Sequence, residues 1–314
     1  MYISLFKTVR FRYLFMCIFT TFLLGCAISL YSIPTGAKEV CECKEVVHED
    51  KEVNSEHTLG VVVPFRERLE ELLEFAPHIR SFLNKQKVKH KIFVINQVDQ
   101  YRFNRASLIN VGFKIATDEG CDYIVMHDVD LLPLNPALPY TYPKNGLFHV
   151  ASPEIHPRYH YPTFVGGILI IKKEDFMLVN GMSNKYWGWG LEDDEFFLRL
   201  KEAGLNISRP SNLTTGIENT FRHIHDRVWR KRDMVKCFNQ KEVTRRRDRV
   251  TGLKDVSYYI KSRQHLTIEG ASLTMINTLL RCNRTITPWC LCSEERKNKI
   301  DKSPRFYKKS SPIR

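Results

Sequence analysis

Tyr123-Ile124-Val125-Met126-His127-Asp128-Val129-Asp130 is the stretch on which the fold turns. Four apolar residues end in an Asp-x-Asp pair, which reads as a buried strand running into an acidic loop. Two more short apolar runs precede it, Leu59-Gly-Val-Val-Val63 and Lys91-Ile-Phe-Val-Ile-Asn96. Between these two, Leu69, Leu72, Leu73, Ala76, Ile79 and Phe82 fit a helix, with Pro77 as a point of interruption. Between the second and third, Phe103 to Ala116 reads as a loop and then a helix. Strand–helix–strand–helix–strand implies an α/β domain with a largely parallel sheet. In such sheets ligands gather beyond the carboxyl ends of the strands. Pro64-Phe65-Arg66-Glu67-Arg68 and Asp128–Asp130 both fall there.

The second half is more mixed. Pro153, Pro157 and Pro162 mark a loop rich in Tyr and His, Gly166 to Ile171 reads as a strand, and Glu192 to Ala203 as a helix stopped by Gly204. That helix opens with Trp187-Gly-Trp-Gly-Leu-Glu-Asp-Asp-Glu195, and Phe196, Phe197, Leu198 and Leu200 form its apolar side. Adjacent carboxylates repel and cannot all be buried unpaired. At a helix N-terminus the dipole stabilises them. The glycines let backbone approach a ligand, aromatic faces stack on sugar rings, and carboxylates accept hydroxyl protons. The stretch therefore reads as a sugar-binding or catalytic site rather than an acidic helix start with two core tryptophans.

The chain of 314 residues has ordinary globular composition, 43% hydrophobic and 26% charged. Its net charge of +13 favours anionic partners such as phosphates, acidic glycans or nucleic acid, without choosing among them. Arg222 to Arg249 holds 11 basic and 4 acidic residues, more than half of the excess.

The N-terminus chooses the compartment. Tyr13 to Ile33 lacks charge and is mostly apolar, and about 20 helical residues span a bilayer core. Lys7, Arg10 and Arg12 precede it and orient the N-terminus to the cytosol. A cleaved signal peptide would have a shorter apolar core. The expected organisation is a cytosolic tail (1–12), a signal anchor (13–33), a charged stem (34–56), a lumenal catalytic domain (57–300) and a basic tail (301–314). Three sequons, at Asn206, Asn212 and Asn283, agree with a lumenal domain. There are nine cysteines; an oxidising lumen permits disulfides, but their pairing cannot be read from sequence. The same anchor excludes a nuclear reading of Arg245–Arg247.

Asp128-Val-Asp130 places two acidic side chains on one side of an extended segment, which suits a hard divalent cation bridging to a nucleotide diphosphate. His223-Ile-His225 adds two imidazoles, and with Asp130 makes a site suited to Mn²⁺, Fe²⁺, Co²⁺ or Zn²⁺. Arg227, Arg230, Lys231 and Arg232 could neutralise phosphates. Two rival classes share these parts. A metal-dependent phosphohydrolase or nuclease would hydrolyse without sugar transfer. A non-catalytic binder of polyanionic glycans would survive loss of Asp130 and Asp193.

Trp187 to Glu195 resembles the WGWGxEDD signature of the β-1,4-galactosyltransferases. Pro64–Arg68, Phe103-Asn-Arg105-Ala106, Asp128–Asp130 and Val165-Gly-Gly167 look like the other family blocks, in the family's order, over about residues 59–295. Tyr159-His-Tyr161, His223-Ile-His225-Asp226 and Thr287-Pro-Trp-Cys290 look most like the branch that adds the first galactose to xylose in the proteoglycan linker. Leu191 stands where other members often have glycine, and Lys236 where that branch often has arginine. The resemblance implies a GT-A fold, Rossmann-like with a mixed sheet flanked by helices, and Mn²⁺-dependent transfer from UDP-galactose. It implies donor contacts from Pro64, Phe65, Arg66, Arg68, Phe103, Asn104, Arg105, Asp128, Val129, Tyr159, Trp189 and Arg232. It implies metal ligation by Asp130, His223 and His225, an acceptor side of Tyr161, Leu191, Glu192, Asp193 and Asp194, and Asp193 as the base. The expected partners are UDP-galactose, xylosylated proteoglycan core proteins and, through the anchor, the Golgi membrane, with no nucleic acid. The alternative within the family is an N-acetylglucosamine acceptor.

Overall fold

The structure, a computed structural model, describes residues 56–293 except 227 and 229, together with 16 and 19–24. The chain divides into two units, Met1–His48 and Glu49–Arg314. In the first, residues 19–24 are helical. Among the described residues no helix is long and apolar enough to cross a membrane. The expected anchor, stem and C-terminal tail, like Arg227, lie otherwise outside the described residues.

The second unit begins as the apolar runs suggest. Strand β1 (Leu59–Phe65), helix α1 (Leu69–Lys85), strand β2 (His90–Gln97), helix α2 (Arg105–Asp118) and strand β3 (Tyr123–His127) follow one another. β1 is buried along its whole length, as a strand covered on both faces must be. Its alternation divides two cores. Val61 and Val63 join Leu72, Phe75, Ala76 and Ile79 of α1, whereas Val62 joins Leu108, Ile109 and Ile115 of α2. α2 lies so close to β1 that a Cβ on Gly112 would meet Val62 at 2.3 Å. α1 continues past Pro77 without a break. The carbonyl that loses its partner belongs to Leu73, on the exposed side. Leu69 and Leu73, expected on the apolar face, are exposed; Phe75 and Leu83 take their place.

The remaining elements are β4 (Leu131–Pro133), β5 (Leu147–His149), β6 (Ile168–Lys172), α3 (Lys173–Leu178), α4 (Glu192–Glu202), β7 (Ile207–Ser208), α5 (Ile217–Thr220), β8 (Phe221–His223), α6 (Gln240–Val243), β9 (Tyr258–Ile268) and β10 (Ala271–Leu280). Eight strands form one sheet in the order β7-β5-β6-β3-β1-β2-β10-β9, and β4 pairs with β8. The sheet is mixed: β10, β2, β1 and β3 run parallel, while β6 is antiparallel to β3 and β9 to β10. β9 and β10 are joined by Glu269-Gly270, with φ of 46° and 80°. Positive φ at both positions is what a two-residue turn matching strand twist requires.

Candidate active site

A cavity of about 560 Å³ opens beyond the carboxyl ends of β1 and β3. Most of the expected site residues line it: Pro64, Arg66, Arg68, Phe103, Arg105, Asp128–Asp130, Tyr159, Tyr161, Trp189, Leu191–Asp194, His223, His225 and Arg232. Two do not. Phe65 is buried in the α1 core. Asn104 is buried as the N-cap of α2, its side-chain oxygen accepting from the Ser107 N–H at 2.9 Å.

One wall is the start of α4. Leu191, the N-cap, holds φ 76°, a left-handed backbone unusual outside glycine. Arg105 lies across from it and grips two elements at once. Its Nη2 is 2.7 Å from Asp128 and its Nη1 3.0 Å from Asp193. Burial pushes the Asp193 carboxyl up, Arg105 opposes this, and Glu192, Asp128 and Asp194 reinforce it; the result is about 7. Glu192 is also raised by burial, and its Oε2 has no hydrogen-bond partner. Tyr161 donates to Asp194. Glu195 turns away from the cavity into a buried pair with Arg199 at 2.9 Å. Arg199 donates in turn to the carbonyls of Gly181 and Thr251, so this end of the acidic run anchors the helix.

The opposite wall carries the metal-type residues. β4–β8 pairing sets Leu131 against His223, which brings the two histidines to the Asp-x-Asp loop. His225 Nδ1 is 3.1 Å from Asp130 and 3.3 Å from Arg68 Nη1. The His223 and His225 rings lie 5.6 Å apart. Among the described residues no group of three His, Cys, Asp or Glu side chains forms a ready metal cluster. Here Asp130 and His225 bond to each other directly. Their chemistry nevertheless fits a divalent cation. Burial pushes His223 down to about 4, leaving a neutral imidazole with a free lone pair. Burial disfavours the Asp130 carboxylate, but the His225 hydrogen bond and nearby His223 outweigh it and hold its pKa below the ordinary value.

Between the walls, Arg232 sits 4.8 Å from the Trp189 ring and 5.7 Å from the Tyr159 ring. The two tryptophans divide the work. Trp187 is buried against Tyr101, and Trp189 faces the cavity. Sequence reasoning missed what holds them. Arg102 binds the Asp233 carboxylate through two nitrogens at 2.6 and 2.9 Å, and the Asp233 backbone carbonyl accepts from the Trp189 backbone N–H at 2.9 Å. A Cβ on Gly188 would meet Arg102 at 2.0 Å, so glycine lets the guanidinium pass. Lys236 donates to the Trp189 carbonyl at 2.8 Å. Disulfides join Cys237 to Cys292 and Cys282 to Cys290, and Cys121 is free and buried. Asn206, Asn212 and Asn283 are all exposed.

A mixed α/β sheet ending in an Asp-x-Asp loop, faced by an acidic helix start, is the arrangement of a GT-A-type glycosyltransferase. Two family models match the chain. One, described as the N-terminal region of glycosyl transferase group 7, covers residues 30–143; the other, described as the N-terminal domain of galactosyltransferase, covers 146–224. The chain is 58% identical over 240 residues to β-1,4-galactosyltransferase 7 of Drosophila melanogaster, covering 76% of this chain and 74% of that one. It is 55% identical over 240 residues to xylosylprotein 4-β-galactosyltransferase of Caenorhabditis elegans, covering 75% and 83%. A solved structure of a mutant Drosophila β-1,4-galactosyltransferase 7, in complex with manganese, UDP-Gal and xylobiose, aligns with a TM-score of 0.74 at 57% identity, over 75% of this chain and 99% of that one. The chain belongs to the β-1,4-galactosyltransferase family.

Proposed function

We propose that this chain is an inverting, Mn²⁺-dependent enzyme that moves galactose from UDP-galactose to the 4-hydroxyl of β-xylose on proteoglycan core proteins. The observation that carries it is the Arg105 bridge, which holds Asp193 in the same cavity that Asp130 and His225 line. The xylobiose and UDP-Gal of the Drosophila complex support the choice of acceptor and donor.

An α-linked donor and a β product require one in-line displacement. Asp193 takes the proton of the attacking hydroxyl as the new bond to the anomeric carbon forms and the bond to UDP breaks. Asp130, His223 and His225 would hold Mn²⁺, which supplies Lewis-acid stabilisation of the leaving diphosphate. Arg232 adds counter-charge on the same side. Trp189 presents a face on which the sugars stack, and Tyr161, Leu191, Glu192 and Asp194 shape the acceptor side. Pro64, Arg66, Arg68, Phe103, Asp128, Val129 and Tyr159 line the donor side.

The test is an acceptor panel with the full-length chain, UDP-galactose and Mn²⁺, comparing β-xylosides with N-acetylglucosaminides. Transfer to the xylosides alone is expected; transfer to N-acetylglucosaminides alone would overturn the acceptor assignment. Replacing His225 with Ala is expected to raise the Mn²⁺ needed for half-maximal transfer by about tenfold or more, read by metal titration. An unchanged titration removes His225 from the ligand set.

The pH profile follows from Asp193. Only the ionised carboxylate accepts a proton, so kcat/KM should fall about tenfold per pH unit below about 7 and level off above it. A profile flat through this range would contradict the assignment. The apolar 13–33 stretch supports a single-pass type II anchor in the Golgi membrane, with the catalytic domain lumenal. Protease protection of the domain in sealed vesicles tests that orientation.

A further inference from the structure

His149, the last residue of β5, is fully buried. Its Nε2 lies 2.8 Å from the Gly166 carbonyl oxygen, and a carbonyl only accepts, so Nε2 carries the proton. Nδ1 is then an acceptor, and it is buried without a hydrogen-bond partner. Burial favours this neutral form, pushing the pKa down to about 4. Such an orphaned nitrogen is unfavourable, and a phenylalanine would avoid it. The ring packs edge-on against Phe164 at 5.5 Å, so its place is set by its neighbours.

Stability does not account for a histidine here, but the peptide it holds does. Gly166 and Ile168 close a three-residue turn, Ile168 N–H to Gly166 carbonyl at 3.0 Å, around Gly167 with φ 74°. Turns of this kind are rare and strained. The buried N–H of His149 is the second donor to that same carbonyl, and secures the turn. The Gly166 Cα faces Asp193. A Cβ there would lie 2.3 Å from Asp193 Oδ2 and 3.0 Å from its Cγ. On the other side, Arg105 grips Oδ1 at 3.0 Å. One carboxylate oxygen is held by a guanidinium and the other rests on bare backbone.

We propose that His149 is a positioning residue for the reaction: by holding the Gly166 carbonyl it fixes the glycine surface against which Asp193 is oriented. This rests on the reading of Asp193 as the base, and the test separates the two. Full-length His149→Phe, His149→Met, His149→Gln and Asp193→Asn are compared with the parent chain for kcat, both KM values and thermal midpoint. The two variants lacking a donor are expected to lose about 10- to 100-fold in kcat, with KM for UDP-galactose within about twofold and no fall in thermal midpoint. His149→Gln, which keeps an N–H near Nε2, should recover most of the loss. Parent-like kcat in His149→Phe, with Asp193→Asn inactive, would overturn the positioning role alone. So would failure of both donor-less variants to fold, or a Gln variant as slow as Phe, because the histidine would then serve stability. Full activity of Asp193→Asn would overturn the base assignment itself.

Discussion

Asp193→Asn is expected to lower kcat for galactose transfer by about 10²- to 10⁴-fold, the usual contribution of a positioned general base, while KM for UDP-galactose changes little. Asparagine matches aspartate in size and can still accept from Arg105 through its side-chain oxygen. What it lacks is a site for the hydroxyl proton. Asp193 is also the carboxylate whose surroundings bring it to about 7, where ionised and protonated forms interchange near neutral pH. Steady-state kinetics with a β-xyloside, alongside UDP titration, separate chemistry from binding. Full activity would remove Asp193 from the mechanism, and loss of UDP binding would make its role structural.

Arg105→Leu is expected to damage both stability and rate. The substitution leaves Asp128 and Asp193 without the guanidinium that pairs them, with Glu192 close by. The three side chains are only partly buried at the cavity wall, so the cost lies below the roughly 3–5 kcal/mol of a fully buried pair. Arg105 is also what opposes the upward push on Asp193. The sign follows: without it Asp193 holds its proton to higher pH, and the acidic limb of kcat/KM moves upward. Denaturant unfolding and the pH profile read the two effects. Arg105→Lys restores charge but not the two-pronged grip, so it should rescue stability better than rate. An Arg105→Leu variant with unchanged unfolding and an unmoved limb would deny the bridge any role.

The first three strands were legible because each is an apolar run with a clear boundary, and α4 because an acidic start leads into Phe196, Phe197 and Leu200 before Gly204. The β9–β10 hairpin was not, although it holds the two longest strands. β9 is an edge strand with Lys261, Arg263, Gln264 and His265 exposed, so it lacks one apolar face. Thr274, Asn277 and Thr278 interrupt the pattern of β10. Motifs found the cavity, but a motif gives residues and not their partners. Arg105 was recognised as a donor contact, yet nothing in Phe103-Asn-Arg105 shows that its guanidinium joins Asp128 to Asp193. Arg102 and His149 act through partners 131 and 17 residues away, separations that no local pattern records.

The strand order also governs when the enzyme can exist. β2 is flanked by β1 on one side and by β10 on the other, so its second edge stays open until residues 271–280 leave the ribosome. The strand that fills it arrives some 170 residues later, a long wait for a non-local pairing. The segment that carries the cavity residue Lys236 waits longer still, because the adjoining Cys237 pairs with Cys292. During synthesis, therefore, a nascent chain already carrying every residue of the acidic helix and the histidine pair has a central strand paired along one edge alone and an unlocked cleft. Such a chain exposes a sheet edge to its neighbours, and passes from vulnerable to competent only once residues 271–292 have emerged and the disulfide has closed.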